Sequence, residues 1–182
     1  MEYKLGQIFF WRDTTSTFGK VIDAYNKKTF PEKANEWLPT HCGMFVGHKV
    51  EDIPYELIAE ATDKGFLVDN NWYETWWLNV KLQQKTIAVG QVNEPMKNVY
   101  ENAKKYEGIG YGWLDIIMIG ISMLTGYKLG LTGKNKIICS EGVNYVVYDS
   151  TKTINFAAEY GLPPDQISPA HIYLSKQVTI LK

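Results

Sequence analysis

The chain has 182 residues, 45% of them hydrophobic and 21% charged, a globular composition with enough length to bury a core as one domain over 1–182. Its 19 basic and 20 acidic residues leave a net charge of −1, so there is no basic excess to draw nucleic acid or hold an anionic membrane surface. Two cysteines exclude a multi-bridge disulfide scaffold.

In chain order, the first apolar run is IFFW, flanked closely by Glu2 and Arg12. That is too short for a secretory signal, so a protein of a reducing cytoplasm is expected. Gly6–Arg12 is predicted as a strand. Thr15–Asn26 is predicted as a helix because Phe18, Val21, Ile22 and Tyr25 follow helical spacing. A loop with Pro31 and Pro39 leads to two strands, His41–Gly47 and Tyr55–Thr62. The turn-like VEDIP lies between them, and they are predicted to pair as a hairpin. Phe66–Asp69 and Thr86–Val92 are further strands. The aromatic cluster Trp72, Tyr73, Trp76 and Trp77 between them either walls a cleft or packs on the sheet.

The second half reads as mostly helical. Asn93 is predicted to cap a helix with Pro95 in its first turn, Met96, Val99, Tyr100 and Ala103 inward, and Gly108 at its end. A second helix is expected over Trp113–Leu124. Its apolar part, Ile116–Leu124, is short of the about 20 residues that a membrane span needs, so no integral membrane segment is expected. A third helix runs from Cys139 to about Asp149, and HIYLSKQVTIL closes the chain with a strand or two. Strands first and helices next predict an α+β domain with an antiparallel sheet packed against helices.

The reactive inventory is Cys42, Cys139, His41, His48 and His171. Cys139 follows Ile137–Ile138 and opens a helix, where the macrodipole favours thiolate and free N–H groups can hold an oxyanion. An inert buried cysteine packed on Val143 is the plainer alternative. Cys42 adjoins His41, but strand neighbours point to opposite faces, which turns Cys42 away from that ring and into the core. His41 begins its strand with small Gly43 two residues on, leaving room for an exposed imidazole. His48 reads as solvated and His171 as structural. A base needs an orienting partner. Glu56 and Glu60 share a face of the next strand, and Glu60, between Ala59 and Ala61, is the one whose burial demands a partner. No C-x-x-C pair, H-E-x-x-H or P-loop is present, so neither a metal nor a cofactor is expected.

Five segments together resemble the permuted papain-like amidases, relatives of the NlpC-type cell-wall hydrolases and of lecithin–retinol acyltransferase-like proteins. They are LGQIFFWRDTTSTFGKVI, THCGMFVG, LIAEAT, ICSEGVNYVVY and DQISPAHI. The resemblance implies a circularly permuted papain-like, NlpC-type fold in which the base precedes the nucleophile. It implies Cys139 as nucleophile, His41 as base and Glu60 as the orienting residue. Tyr111 and Ser140 are its candidates for the oxyanion or substrate pocket. The implied activity is hydrolysis of an amide, peptide or acyl-amide, on a small peptide, amide or acyl substrate. Thioester or acyl-lipid chemistry on the same triad, and a silent binding module, are the alternatives. Two residues depart from the pattern. Cys42 replaces an apolar residue, and Gly142 stands where Leu is common, which is expected to loosen the first helical turn by up to about 1 kcal/mol.

Overall fold

The computed structural model describes residues 3–48, 55–68, 72–112, 114, 116, 118 and 136–181; at 48, 55 and 72 only the backbone is described. The strands are β1 (Ile8–Trp11), β2 (His41–His48), β3 (Tyr55–Thr62), β4 (Gly65–Leu67), β5 (Trp72–Glu74), β6 (Ile87–Val92), β7 (Gly110–Tyr111), β8 (Lys136–Ile137) and β9 (Val178–Leu181). The described helices are α1 (Thr17–Thr29), α2 (Thr75–Gln83), α3 (Val99–Lys104), α4 (Cys139–Thr151), α5 (Phe156–Glu159) and α6 (Pro169–Tyr173).

The main sheet runs β4-β3-β2-β1-β6-β9, and β5 pairs with the other half of β3. Every pairing within it is antiparallel. The predicted class therefore holds: an α+β fold with an antiparallel sheet against helices. A short parallel pair, β7 with β8, lies apart and brings Tyr111 beside Ile137, two residues before Cys139.

The alternation of β1, β2 and β3 buries both faces of the sheet. Ile8, Phe10, Cys42, Met44, Val46, Leu57 and Ala59 join Val143 and Val146 of α4 on one face. Phe9, Phe45, Ile58 and Val89 join Tyr3 and Leu78 of α2 on the other. Burial of this kind stabilises by about 25 cal/mol per Å² of apolar surface removed from water.

Some elements differ from the sequence expectation. Strand β5 and helix α2 occupy the aromatic cluster. There Tyr73 and Trp77 pack against the second face, and Trp76 is 59% exposed. Asn93 caps no helix: its side chain bonds the Lys176 carbonyl and the Thr179 hydroxyl, and α3 starts only after Asn98, so Pro95 stays outside it. The helix also stops at Lys104, short of Gly108, which sits at φ +80° in the following turn and donates its N–H to the Phe66 carbonyl. His171 lies on α6, so the tail carries one strand rather than two. The predicted helix over 113–124 falls mostly outside the described residues, where Leu114, Ile116 and Met118 are helical. The VEDIP turn and the His48 side chain also lie outside them. Among the described residues no helix is long and apolar enough to cross a membrane.

Candidate active site

Helix α4 opens on Cys-Ser-Glu, and each of the three residues has a distinct task. Glu141 reaches back, and the Ile138 N–H donates to its Oε2 at 3.3 Å, the carboxylate half of a capping box. Its other oxygen accepts from the Tyr145 hydroxyl at 2.8 Å. The buried Ser140 hydroxyl donates to the Ile167 carbonyl at 2.6 Å, tying the helix start to the C-terminal segment. Its hydroxyl is committed to that bond, while the residue lines the small cavity beside Cys139. Cys139 is held between these two anchors, at the end of the helix where the first N–H groups lack intrahelical acceptors.

Gly142, expected to loosen this turn, instead lets it dock. A Cβ there would fall 2.5 Å from Cε2 of Phe66 on β4. The departure from Leu follows from how closely α4 lies on the sheet.

His41 comes from β2, whose first residue pairs with Trp11 of β1. The ring lies 5.4 Å from the Trp11 ring, tilted by 55°. Its Nε2 is hydrogen-bonded to Oε2 of Glu60, which is 3% exposed. Gly43 makes that meeting possible, because a Cβ on it would stand 2.8 Å from Ile58 Cγ2 and 3.0 Å from Glu60 Cβ. The second oxygen of Glu60 accepts from the Tyr73 hydroxyl at 2.6 Å. Glu56, the alternative orienting residue, lies one turn of the pleat away and bonds the Thr75 hydroxyl at 2.9 Å. Glu60 is therefore the carboxylate that meets His41.

The Cys139 thiol meets both His41 and Cys42. Its pKa is held well below the ordinary thiol value, first by the hydrogen bond from Cys42 and then, against the opposing cost of burial, by the His41 charge. For His41, burial disfavours the charged ring, but the Cys139 thiolate and Glu60 outweigh it and hold the pKa well above the ordinary value. Burial and the Cys139 contact push Cys42 upward, so it stays a thiol. The arrangement is a thiolate–imidazolium pair with a neutral S–H donor behind it. The expectation that Cys42 turns away from His41 into the core holds, yet the core it enters is the one that holds Cys139.

On the His41 side of the pair lies an open cleft of about 510 Å³, lined in part by Trp11, Phe18, His41, Glu60, Tyr73 and Tyr111. The His41 side chain reaches it with 27% of its surface. Tyr111 keeps its expected place, and its hydroxyl pKa is raised by burial and then by the Cys139 charge. A second cavity of about 20 Å³, room for about one water, borders Cys139 on the other side among Ile22, Tyr25, Ile138 and Ile167. The apolar stripe of α1 serves these two spaces. Phe18 and Ile22 line the cleft, and Val21, Ile22 and Tyr25 line the small cavity.

His171 is apart from the site. Its Nδ1 bonds Ser168, Tyr160 and Phe30 enclose the ring, and burial pushes its pKa down to about 4. Trp11 is the site residue that sequence reasoning missed; Tyr73 was read as a possible cleft wall, but its bond to Glu60 was not foreseen. The only signal for Tyr73 was an aromatic with a hydroxyl in a cluster near the Glu60 strand.

No protein-family model and no curated protein matches the chain. Among solved structures it is similar to one described as the metalloprotein yiiX of Escherichia coli O157:H7, DUF1105. The TM-score is 0.58 at 15% identity, over 100% of this chain and 98% of that one. At that identity the likeness concerns the fold. Among the described residues no group of three or more His, Cys, Asp or Glu side chains is disposed to hold a metal ion.

Proposed function

We propose that the protein is a cysteine hydrolase of the permuted papain-like kind that cleaves an amide bond. The observation that carries this reading is the Cys139–His41–Glu60 relay, with Tyr73 closing it behind Glu60. The Cys139 thiolate attacks the carbonyl carbon, and the first N–H groups of α4 receive the oxyanion. His41 gives its proton to the departing amine as the C–N bond breaks. It then takes a proton from water, which attacks the thioester and frees Cys139. Glu60 holds the ring in place and steadies its positive charge throughout.

The cleft supports a substrate that is neutral or amine-bearing. Among the described residues its lining includes Asp13, Glu60 and Asp63 and no Lys or Arg. The small size of the second cavity speaks against a long acyl chain lodged beneath Cys139. The test is turnover of amide, ester and thioester panels by the protein and by Cys139→Ala. Amide cleavage that disappears in the variant is expected, and full activity of Cys139→Ala on a validated substrate would sink the assignment.

A further inference from the structure

The chain contains two cysteines, and the fold sets both at one spot. Cys42 is wholly buried on β2, and Cys139 is 2% exposed at the start of α4, which packs across that strand. Both sulfurs are free of disulfides. The Cys42 backbone N–H and thiol both point at the Cys139 sulfur. Cys42 is otherwise surrounded by apolar core such as Met44, Phe10 and Val143. Cys42 helps to hold Cys139 as a thiolate but supplies neither base nor orientation, which come from His41 and Glu60. It is, however, placed where a resolving thiol must be: in contact with an activated thiolate and shielded from other sulfurs.

We propose that Cys42 and Cys139 form a reversible intramolecular disulfide, a modification site by which small hydroperoxides switch off the nucleophile. The Cys139 thiolate attacks a peroxide oxygen, the O–O bond breaks, and the departing oxygen takes the proton of His41. Cys139 is then a sulfenic acid. The Cys42 sulfur attacks the Cys139 sulfur, the S–O bond breaks, and the hydroxide leaves as water with the Cys42 proton. Two thiols are oxidised to one disulfide, and one hydroperoxide is reduced to an alcohol, or water, plus water. The cavity of about 20 Å³ beside Cys139 is far too small for a lipid peroxide, which favours the smallest oxidant, hydrogen peroxide. Reduction by an external dithiol or glutathione restores the site.

The proposal rests on the meeting of the two cysteines in one buried core and not on turnover, so it stands or falls separately from the hydrolase reading. The experiment exposes the reduced full chain to near-equimolar hydrogen peroxide. It then traps free thiols with N-ethylmaleimide after unfolding, and reads intact mass and a non-reducing gel. The expected product is a monomer lighter by two hydrogens that takes up no maleimide, and dithiothreitol returns both labelling sites. In Cys42→Ala, Cys139 passes to sulfinic acid several-fold faster, and dithiothreitol no longer restores its labelling. A wild-type product with sulfinic Cys139 and free Cys42 overturns the proposal. A disulfide joining two chains, or two thiols still labelled, does the same. If Cys42→Ala does not fold, the wild-type mass decides alone.

Discussion

At Cys139 two neighbours and burial act on one sulfur. Cys42 donates from the core side, His41 supplies charge from the cleft side, and burial opposes both. Because the folded pKa is depressed, the thiolate persists as pH falls well below the ~8.5 of a free thiol. Alkylation by iodoacetamide should therefore have a midpoint well on the acid side of that value, measured as rate against pH. Glu60→Gln removes the carboxylate that sustains the His41 charge, so its midpoint should move upward. A wild-type midpoint at or above the free-thiol value contradicts the ion pair. Tyr73→Phe deletes the donor at 2.6 Å from the buried Glu60 carboxylate. A stability loss of about 1–3 kcal/mol is expected from the urea midpoint, and no shift would mean that the hydroxyl is dispensable.

Among the elements, α4 depends on the absence of a side chain. Gly142→Ala places a methyl group where Phe66 already sits, and the overpacking should cost about 1–3 kcal/mol, seen as a lower Tm. An unchanged Tm would mean that Phe66 yields freely. The strands were legible in the sequence because alternation is a strong signal: Tyr55–Thr62 needed no revision, and parity put Cys42 in the core. Parity gives the face of a residue but not its reach, so it did not reveal that Cys42 would touch a nucleophile arriving from a helix. Helix α2 was illegible because Trp76, Trp77, Leu78 and Val80 ring the helix instead of marking one side. Helix α1 was legible as a helix, yet its polar residues Asp23 and Asn26 are the buried ones. They bond Arg12 and the Pro39 carbonyl, leaving the apolar stripe for the cleft. Asn93 and Pro95 made a local cap signature that the pairing of β6 with β9 outweighed.

For the molecule as a whole, the buried His171 sets an acid limit. Its pKa is about 4 when folded against ~6.5 when unfolded. Between those values the unfolded chain binds more protons, so stability falls as pH drops from 6.5 towards 4, by roughly 3 kcal/mol in all. Urea midpoints measured from about pH 6.5 to 5 should fall, and His171→Gln should flatten that slope. An equal slope in the variant assigns the acid sensitivity elsewhere. The meeting of His41, Glu60 and Cys139 was legible in the sequence: they come from three elements, and each bore a local signature. Their support was not, because Trp11 and Tyr73 meet the site only through strand register.

The tilted stacking of Trp11 on His41 gives the site an optical consequence. A protonated imidazole beside an indole quenches its emission, so Trp11 reads the charge of the base without any added dye. Emission should brighten as alkali strips the His41 proton. With Cys139→Ala, which takes away the partner anion, the same brightening should come at lower pH. Trp11→Phe should leave the remaining indoles silent to this transition. The His41–Cys139 charge pair is thus addressable in the native protein with no substrate in hand.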